Sequence, residues 1–344
     1  MRNAPDCRDR EAKAAQTERL RSKAREMKVG IIGAGAVGTA CLLSLVMRGS
    51  AREIVLVNRN RKRAEAVVTD IQYGAILSPV VEVRVGDYSA LAGASLVMIT
   101  AGENEKAGGA TDRSDPSGRL RLLEANSAVY QEIVPQIHRA APGALVLVVT
   151  DPPDPLSDVV RILGHERVLS TGTYLDSLRF RFHLASSLNV SPAYVEALVL
   201  GEHGMSSIFL WSSARVSGRP VLELLAEPGD EREELRQEIE RRVRYANITI
   251  IEGIGASQYG IGMVCARIAE MVLGDERAVI PVGSYSPKYG GTLSLPTVVG
   301  TQGVVRVLEP EMSAMEQQGL GHSAEVLRDA MSHLNLSGLP HKAA

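Results

Sequence analysis

The run Lys28-Val29-Gly30-Ile31-Ile32-Gly33-Ala34-Gly35-Ala36-Val37-Gly38 decides the fold. Lys28 to Ile32 reads as a buried β-strand, and an apolar helix opens at the glycines and runs to about Met47. In that setting the G-x-G-x-x-G spacing has a physical meaning. Gly33 permits a tight turn, Gly35 lets the backbone approach a pyrophosphate, Gly38 permits close helix packing, and the helix N-terminus attracts phosphate charge. Gly33, Gly35, Ala36, Val37 and Gly38 are the expected cofactor-binding residues.

Outward from this run, strands and helices alternate. A strand at Glu53 to Val57 ends in Asn58-Arg59-Asn60-Arg61-Lys62-Arg63, where a dinucleotide site normally carries an acid for the ribose hydroxyls. A neutral Asn58 beside Arg59 accepts a 2′-phosphate that an acid would repel, which favours NADP(H) over NAD(H). The plainer alternative is that Arg61, Lys62 and Arg63 form a solvated first helical turn. A helix follows to about Gly74, then strands at Val80 to Val85 and Ser95 to Ala101. The polar, glycine-rich stretch Gly102 to Gly118 reads as a lid or as a plain insertion, before a helix from Arg119 to about Ala140. The strand Ala144 to Thr150 ends in Asp151-Pro152-Pro153-Asp154-Pro155, whose prolines hold Asp151 at the edge where ligands of open α/β sheets bind. Arg167 to Ser170 is a sixth strand.

The fold class is therefore α/β: an N-terminal Rossmann doubly wound parallel sheet over 27–170, with a C-terminal α+β domain over 171–336. Residues 1–26 form an arm and 337–344 a tail. Asp6, Asp9, Glu11 and Glu18 argue against a transit peptide in the arm. Either Met27 is the true start, or the arm embraces a neighbouring subunit.

With 344 residues, 45% of them hydrophobic and 4% aromatic, and a net charge of −2, the chain has no electrostatic reason to bind nucleic acid or an acidic membrane. A small-molecule substrate is the better expectation. Cys7, Cys41 and Cys265 are far apart, which fits a reducing compartment, predicts no metal site, and points to the cytoplasm.

In the second half, Val195 to Leu200 reads as a buried strand that delivers His203 within Gly201-Glu202-His203-Gly204-Met205. A histidine on a flexible glycine hinge can meet a substrate and change protonation near neutral pH; the alternative is a turn residue. Asp176 and Arg179 share one face of a helix running to about Leu188. They form either an ordinary ion pair, or a carboxylate that orients His203 and a guanidinium that grips a substrate carboxylate. Strands are expected within Val190 to Trp211 and at Val216 to Val221, and helices over Asp230 to Ile254 and Glu309 to His333.

Gly33-x-Gly35-x-x-Gly38, the run Leu175-Asp176-Ser177-Leu178-Arg179-Phe180-Arg181, and Gly201-Glu202-His203-Gly204, in this order, resemble the L-lactate and malate dehydrogenase family. Gly255-Ala256-Ser257-Gln258-Tyr259-Gly260-Ile261-Gly262 resembles that family's substrate-domain helix, and Ser294-Leu295-Pro296 with Gly300 and Gly303 its late strand pair. The resemblance spans about Met27 to about His333. It implies hydride transfer between a nicotinamide cofactor and a 2-oxo or L-2-hydroxy acid, with His203 as acid-base, Asp176 as its partner and Arg179 on the substrate carboxylate. A loop arginine polarises the carbonyl. The spacing to Asn126, itself expected at the cofactor, selects Arg119, with Arg113 as rival. A homodimer or homotetramer is implied through the Arg61 to Gly74 helix.

Two departures from the family stand out. Asp151 replaces an asparagine whose amide can donate to the substrate oxygen; an ionised Asp only accepts. It carries a proton, pairs with a cation, or marks a substrate unlike lactate. At the loop position that sets substrate specificity the chain offers Glu105 or Lys106, which would respectively reject or welcome a second carboxylate. Ser257 is small and leaves room for a side chain larger than methyl. Two alternatives follow: a reductase of an amino-bearing 2-oxo acid or imine, and a cofactor-binding protein that has lost turnover.

Overall fold

The computed structural model describes residues 27–115, 117–225 and 230–334, so the expected arm at 1–26 and tail at 337–344 lie outside the described residues. Six parallel strands form the nucleotide half: β1 (Lys28–Ile32), β2 (Glu53–Val57), β3 (Glu82–Gly86), β4 (Leu96–Ile99), β5 (Leu145–Val148) and β6 (Val168–Ser170). Their spatial order is β3-β2-β1-β4-β5-β6, the doubly wound arrangement whose order reverses beside β1. β1, β4 and β5 are buried along their whole length and carry apolar side chains on both faces. In β4, Leu96 and Met98 join one apolar cluster while Val97 and Ile99 join the other.

Helices α1 (Ala36–Arg48), α2 (Arg61–Ala75), α3 (Leu123–Ala140), α4 (Pro153–Ile162) and α5 (Tyr174–Leu188) connect these strands and lead out of the sheet. The Rossmann sheet does not stop at β6. After the short strands β7 (Val195–Glu196), β8 (Val199–Leu200), β9 (Ile208–Phe209), β10 (Arg215–Val216) and β11 (Arg219–Pro220) come β12 (Ala278–Ser286), β13 (Gly291–Gly300) and β14 (Gly303–Val307). These last three extend the sheet antiparallel from β6 through Gly283 opposite Ser170, to nine strands in all.

Four expectations shift. Val195 to Leu200 is not one strand, because Val195–Glu196 pairs with β10 and Val199–Leu200 with β9. The helix expected from Arg119 starts as a 3-10 turn over Gly118–Leu122. Asp230 to Ile254 breaks at Tyr245 into α7 (Asp230–Arg244) and α8 (Ala246–Ile254), which follow α6 (Val221–Leu224). The last helix starts only at Ala314, where Ser313 and Glu316 form a capping box, so α10 covers Ala314–Ser332.

The two halves are joined by close helix packing. α9 (Tyr259–Leu273), from the second half, lies against α1, and Val264, Ile268 and Met271 enter the same apolar cluster as Leu42 and Leu45. Gly262 makes this contact possible, since a Cβ there would stand 2.7 Å from the carbonyl carbon of Ala40 and 2.9 Å from its Cβ. Gly262→Ala is therefore expected to destabilise the protein by about 1–3 kcal/mol through overpacking. Urea unfolding of the two proteins checks this; an unchanged midpoint would show that the helices separate freely.

Candidate active site

The carboxyl ends of the central strands open on a cleft of about 1140 Å³ that reaches from the glycine-rich turn to His203. At the nucleotide end, the amide of Gly33 donates to the Val57 carbonyl at 2.8 Å, tying the turn to β2. A Cβ on Gly38 would lie 1.9 Å from the Gly33 carbonyl oxygen, so α1 can start there only with glycine. A Cβ on Gly35 would meet no protein atom within 4 Å and would project into the space the turn encloses. No side chain caps the start of α1, so its first amides stay available to an anion. These features fit the pyrophosphate of a dinucleotide.

Asn58 accepts from the amide of Ala34 at 3.0 Å and donates to the Asn60 carbonyl at 2.9 Å. Asn60 caps α2 by accepting from the Arg63 amide, and Arg63 Nε donates to the Ala34 carbonyl at 2.6 Å. Arg61 pairs with Glu65. Arg59 lines the cleft, is exposed and forms no ion pair among the described residues.

At the other end, His203 Nδ1 lies 2.5 Å from Asp176 Oδ2, and Arg179 donates to Asp176 Oδ1 at 2.9 Å. Burial opposes ionisation of Asp176, but the charge and hydrogen bond of His203, with Arg179 and Arg119, outweigh it and hold the carboxyl well below the usual carboxylate range. Its place in the first turn of α5 adds the favourable end of the helix dipole. The next residue fixes the geometry: Ser177 Oγ accepts from the Val199 amide at 2.8 Å, so α5 grips β8 immediately before the histidine segment. With Nδ1 held by the acid, Nε2 of His203 is the nitrogen left for a ligand, 3.8 Å from Asp151 Oδ1.

Arg119 is 8% exposed and its Nε sits 3.2 Å from Asp151 Oδ2, without the alignment of a hydrogen bond. Burial lowers its pKa, yet the carboxylates of Asp151, Asp176, Glu105 and Glu202 more than restore it. Glu105 lines the cleft and its carboxyl hydrogen-bonds to that of Asp151. Its pKa is pushed up to about 7, first by burial and then by the Asp151 charge, with Arg119 opposing. Lys106 is exposed and is not part of the cleft wall. Ser257 lines the cleft beside Ala256 and Gly255.

Besides Lys106, two expected residues sit elsewhere. Arg113 pairs with Glu252 on the surface, which leaves Arg119 as the loop arginine in the cleft. Asn126 is fully buried and absent from the cleft wall; its side chain accepts from the Glu103 amide at 2.6 Å and donates to the Asp151 carbonyl at 2.7 Å. It holds the loop to the end of β5. Nor is the histidine on a free hinge. Its amide donates to Asp154 Oδ2 at 3.0 Å, the Glu202 amide donates to Ser323 on α10 at 2.8 Å, and the Glu202 carboxylate accepts from the Ser206 amide at 2.9 Å.

Asp154 had no distinguishing signal in sequence beyond its place among the prolines. It is 1% exposed, its carboxylate accepts from Ser170 Oγ at 2.5 Å as well as from His203, and burial pushes its pKa up to about 7 despite both bonds.

A doubly wound sheet with a dinucleotide turn at one end of its cleft and a buried Asp–His pair flanked by two arginines at the other defines an NAD-binding oxidoreductase. The chain belongs to the lactate/malate dehydrogenase family: residues 27–167 match its NAD binding domain and 173–335 its alpha/beta C-terminal domain. It is 45% identical to the L-lactate dehydrogenase of Deinococcus radiodurans over 312 residues, covering 90% of this chain and all of that one. It is 42% identical to that of Thermus aquaticus over 322 residues, covering 90% and 99%. Among solved structures, the minor L-lactate dehydrogenase of Enterococcus mundtii superposes with a TM-score of 0.80 at 31% identity, over 90% of this chain and 99% of that one. A lactate dehydrogenase from a Medee basin deep-sea metagenome library gives 0.80 at 30%, over 89% and 99%.

The Asp154 carboxyl makes stability depend on pH. Its folded pKa lies above its unfolded value, so the folded state binds the extra proton, and stability falls as pH rises from about 4 to about 7. Asp154→Asn should remove a fall on the order of 4 kcal/mol, at about 1.4 kcal/mol per pKa unit. Urea midpoints at pH 4.5 and 7.5 read this directly, and parallel curves for the two proteins would disprove it. Asp154→Ala, which leaves the His203 amide unheld, should lower kcat by up to about 100-fold with a smaller change in KM, and Asp154→Asn should recover part of that loss.

Proposed function

We propose that the protein interconverts a 2-oxo acid and the matching L-2-hydroxy acid of lactate type, using a nicotinamide dinucleotide. The observation that carries this reading is the 2.5 Å contact between His203 Nδ1 and Asp176, which leaves Nε2 for a ligand in a cleft that also holds the buried Arg119 and the half-buried Arg179. The bound cofactor supplies or accepts the hydride at C2. In the reducing direction an alkoxide develops on the C2 oxygen, and His203 Nε2 delivers the proton that makes it a hydroxyl. Asp176 stabilises the imidazolium and fixes the tautomer. Arg179, pinned by Asp176, presents its remaining donors to the substrate carboxylate, and Arg119 polarises the C2 carbonyl. The sequence similarity to the L-lactate dehydrogenases of Deinococcus radiodurans and Thermus aquaticus supports this reading.

For the cofactor, NADP(H) is favoured over NAD(H) because β2 ends in Asn58-Arg59 with no acid to hold ribose hydroxyls or repel a 2′-phosphate, and because Arg59 is free to meet one. The protein acts as a homodimer or homotetramer; Tyr73, Ile76, Leu77 and Val80, near the end of α2 and in the loop after it, are all more than three-quarters exposed and offer an apolar contact for a second copy.

Initial rates of NADPH and NADH oxidation with pyruvate test the reading. His203→Ala should lose at least about 100-fold in kcat, whereas Arg59→Ala should lower the NADPH-to-NADH ratio of kcat/KM by about tenfold or more. Turnover that survives in His203→Ala would refute the acid-base assignment, and a wild-type preference for NADH would refute the cofactor assignment.

A further inference from the structure

With the His203 imidazole neutral, the substrate end of the cleft holds three acids, Asp176, Asp151 and Glu105, against two arginines, Arg179 and Arg119. Asp176 is balanced by His203 and Arg179, and Asp151 by Arg119 at 3.2 Å. Glu105 is left over. It forms no ion pair among the described residues, and its neighbour Lys106 points away from the cleft wall into an exposed position. Its carboxyl meets that of Asp151, and the one cation acting on it among the described residues, Arg119, is already held by Asp151 and offsets its burial only in part.

A second observation places this pair where a ligand sits. The Nε of Arg119 is buried without a hydrogen-bond partner, next to Asp151 and on the same wall. That N–H is ion-paired with Asp151 at 3.2 Å but not aligned to donate to it, so a ligand oxygen can complete its hydrogen bond. Gly255, Ala256 and Ser257, which line the same cleft, are small and leave space for a side chain longer than methyl. The carboxylate grip, the Arg119 N–H and the second acid thus supply partners for three parts of one ligand: its carboxylate, its 2-oxo oxygen and its side chain.

We propose that Glu105 and Asp151 form an ammonium-binding subsite, so that the preferred substrate is a 2-oxo acid whose side chain ends in a protonated amine. This rests on the 2-oxo acid reading above and narrows it. The hydride and proton still go to C2 and its oxygen, and the ammonium group is bound without being changed. A second carboxylate is rejected by the same two acids, and an apolar chain leaves the Glu105 charge buried without a partner.

The test compares 4-amino-2-oxobutanoate with 2-oxopentanoate, which differ only by ammonium in place of a terminal methyl. With wild-type enzyme the ammonium compound should give the higher kcat/KM by at least about tenfold, or about 1.4 kcal/mol. Glu105→Gln should bring the ratio to near unity. A wild-type ratio at or below unity, or a ratio that Glu105→Gln leaves unchanged, overturns the proposal. Calorimetric titration of the enzyme–NADPH complex, whose cofactor cannot accept a hydride, with the corresponding L-2-hydroxy acids reads the same preference without turnover. Absence of turnover with every 2-oxo acid, pyruvate included, would overturn the functional reading, while the binding ratio would still decide for or against the subsite.

Discussion

The carboxylate of Asp176 is the interaction around which the second half of the molecule is arranged. One oxygen holds His203 and the other holds Arg179, so a single buried acid orients both the imidazole and the guanidinium. Burying that charge is costly in isolation. It is sustained by two cationic partners, by the dipole at the start of α5, and by a strand that Ser177 locks to the same helix. Removing any partner would leave the others as uncompensated buried charges, which is far more destabilising than never having buried the set.

A similar set of contacts links the histidine segment to the sheet. Asp154, in the first turn of α4, reaches both Ser170 at the end of β6 and the backbone of His203. Ser323 on α10 holds the residue before the histidine, and Asn126 on α3 ties the mobile-looking loop to the end of β5. Each of these bonds joins a chain segment of the nucleotide half or the C-terminal helix to one wall of the cleft. The nine-stranded sheet and the contact of α9 with α1 make the two halves one packed body, so small displacements in one are felt in the other.

Much of this was legible beforehand. The strand and glycine run at Lys28 to Gly38 announced the dinucleotide turn because strand burial, turn geometry and helix packing each leave a distinct residue requirement there. The spacing of Asp176 and Arg179 and the flanks of His203 pointed to the site for similar local reasons. Less was legible in the loop. Glu105 and Lys106 are adjacent and equally polar, and only the path of the loop decides which one joins the cleft. Arg113 and Arg119 differ in the same way, since Glu252 captures the first from a helix more than a hundred residues away. Asp154 carried no periodicity or motif of its own, and Val195 to Leu200 looked like one strand because apolar alternation does not report which partner each piece finds.

The sequence by itself determined the alternation of strands and helices, the place of the glycine turn, the pairing of Asp176 and Arg179 on one helix face, the position of His203, and the departure at Asp151. All of these follow from residue type and short-range spacing, which act within a few residues along the chain. The tertiary structure alone decided that Asp151 and Glu105 face each other across 45 residues of sequence, with Arg119 beside Asp151 and Lys106 outside. It also decided that the histidine is anchored rather than hinged. Charges reveal their meaning only through distance and burial, and both are properties of the packed chain.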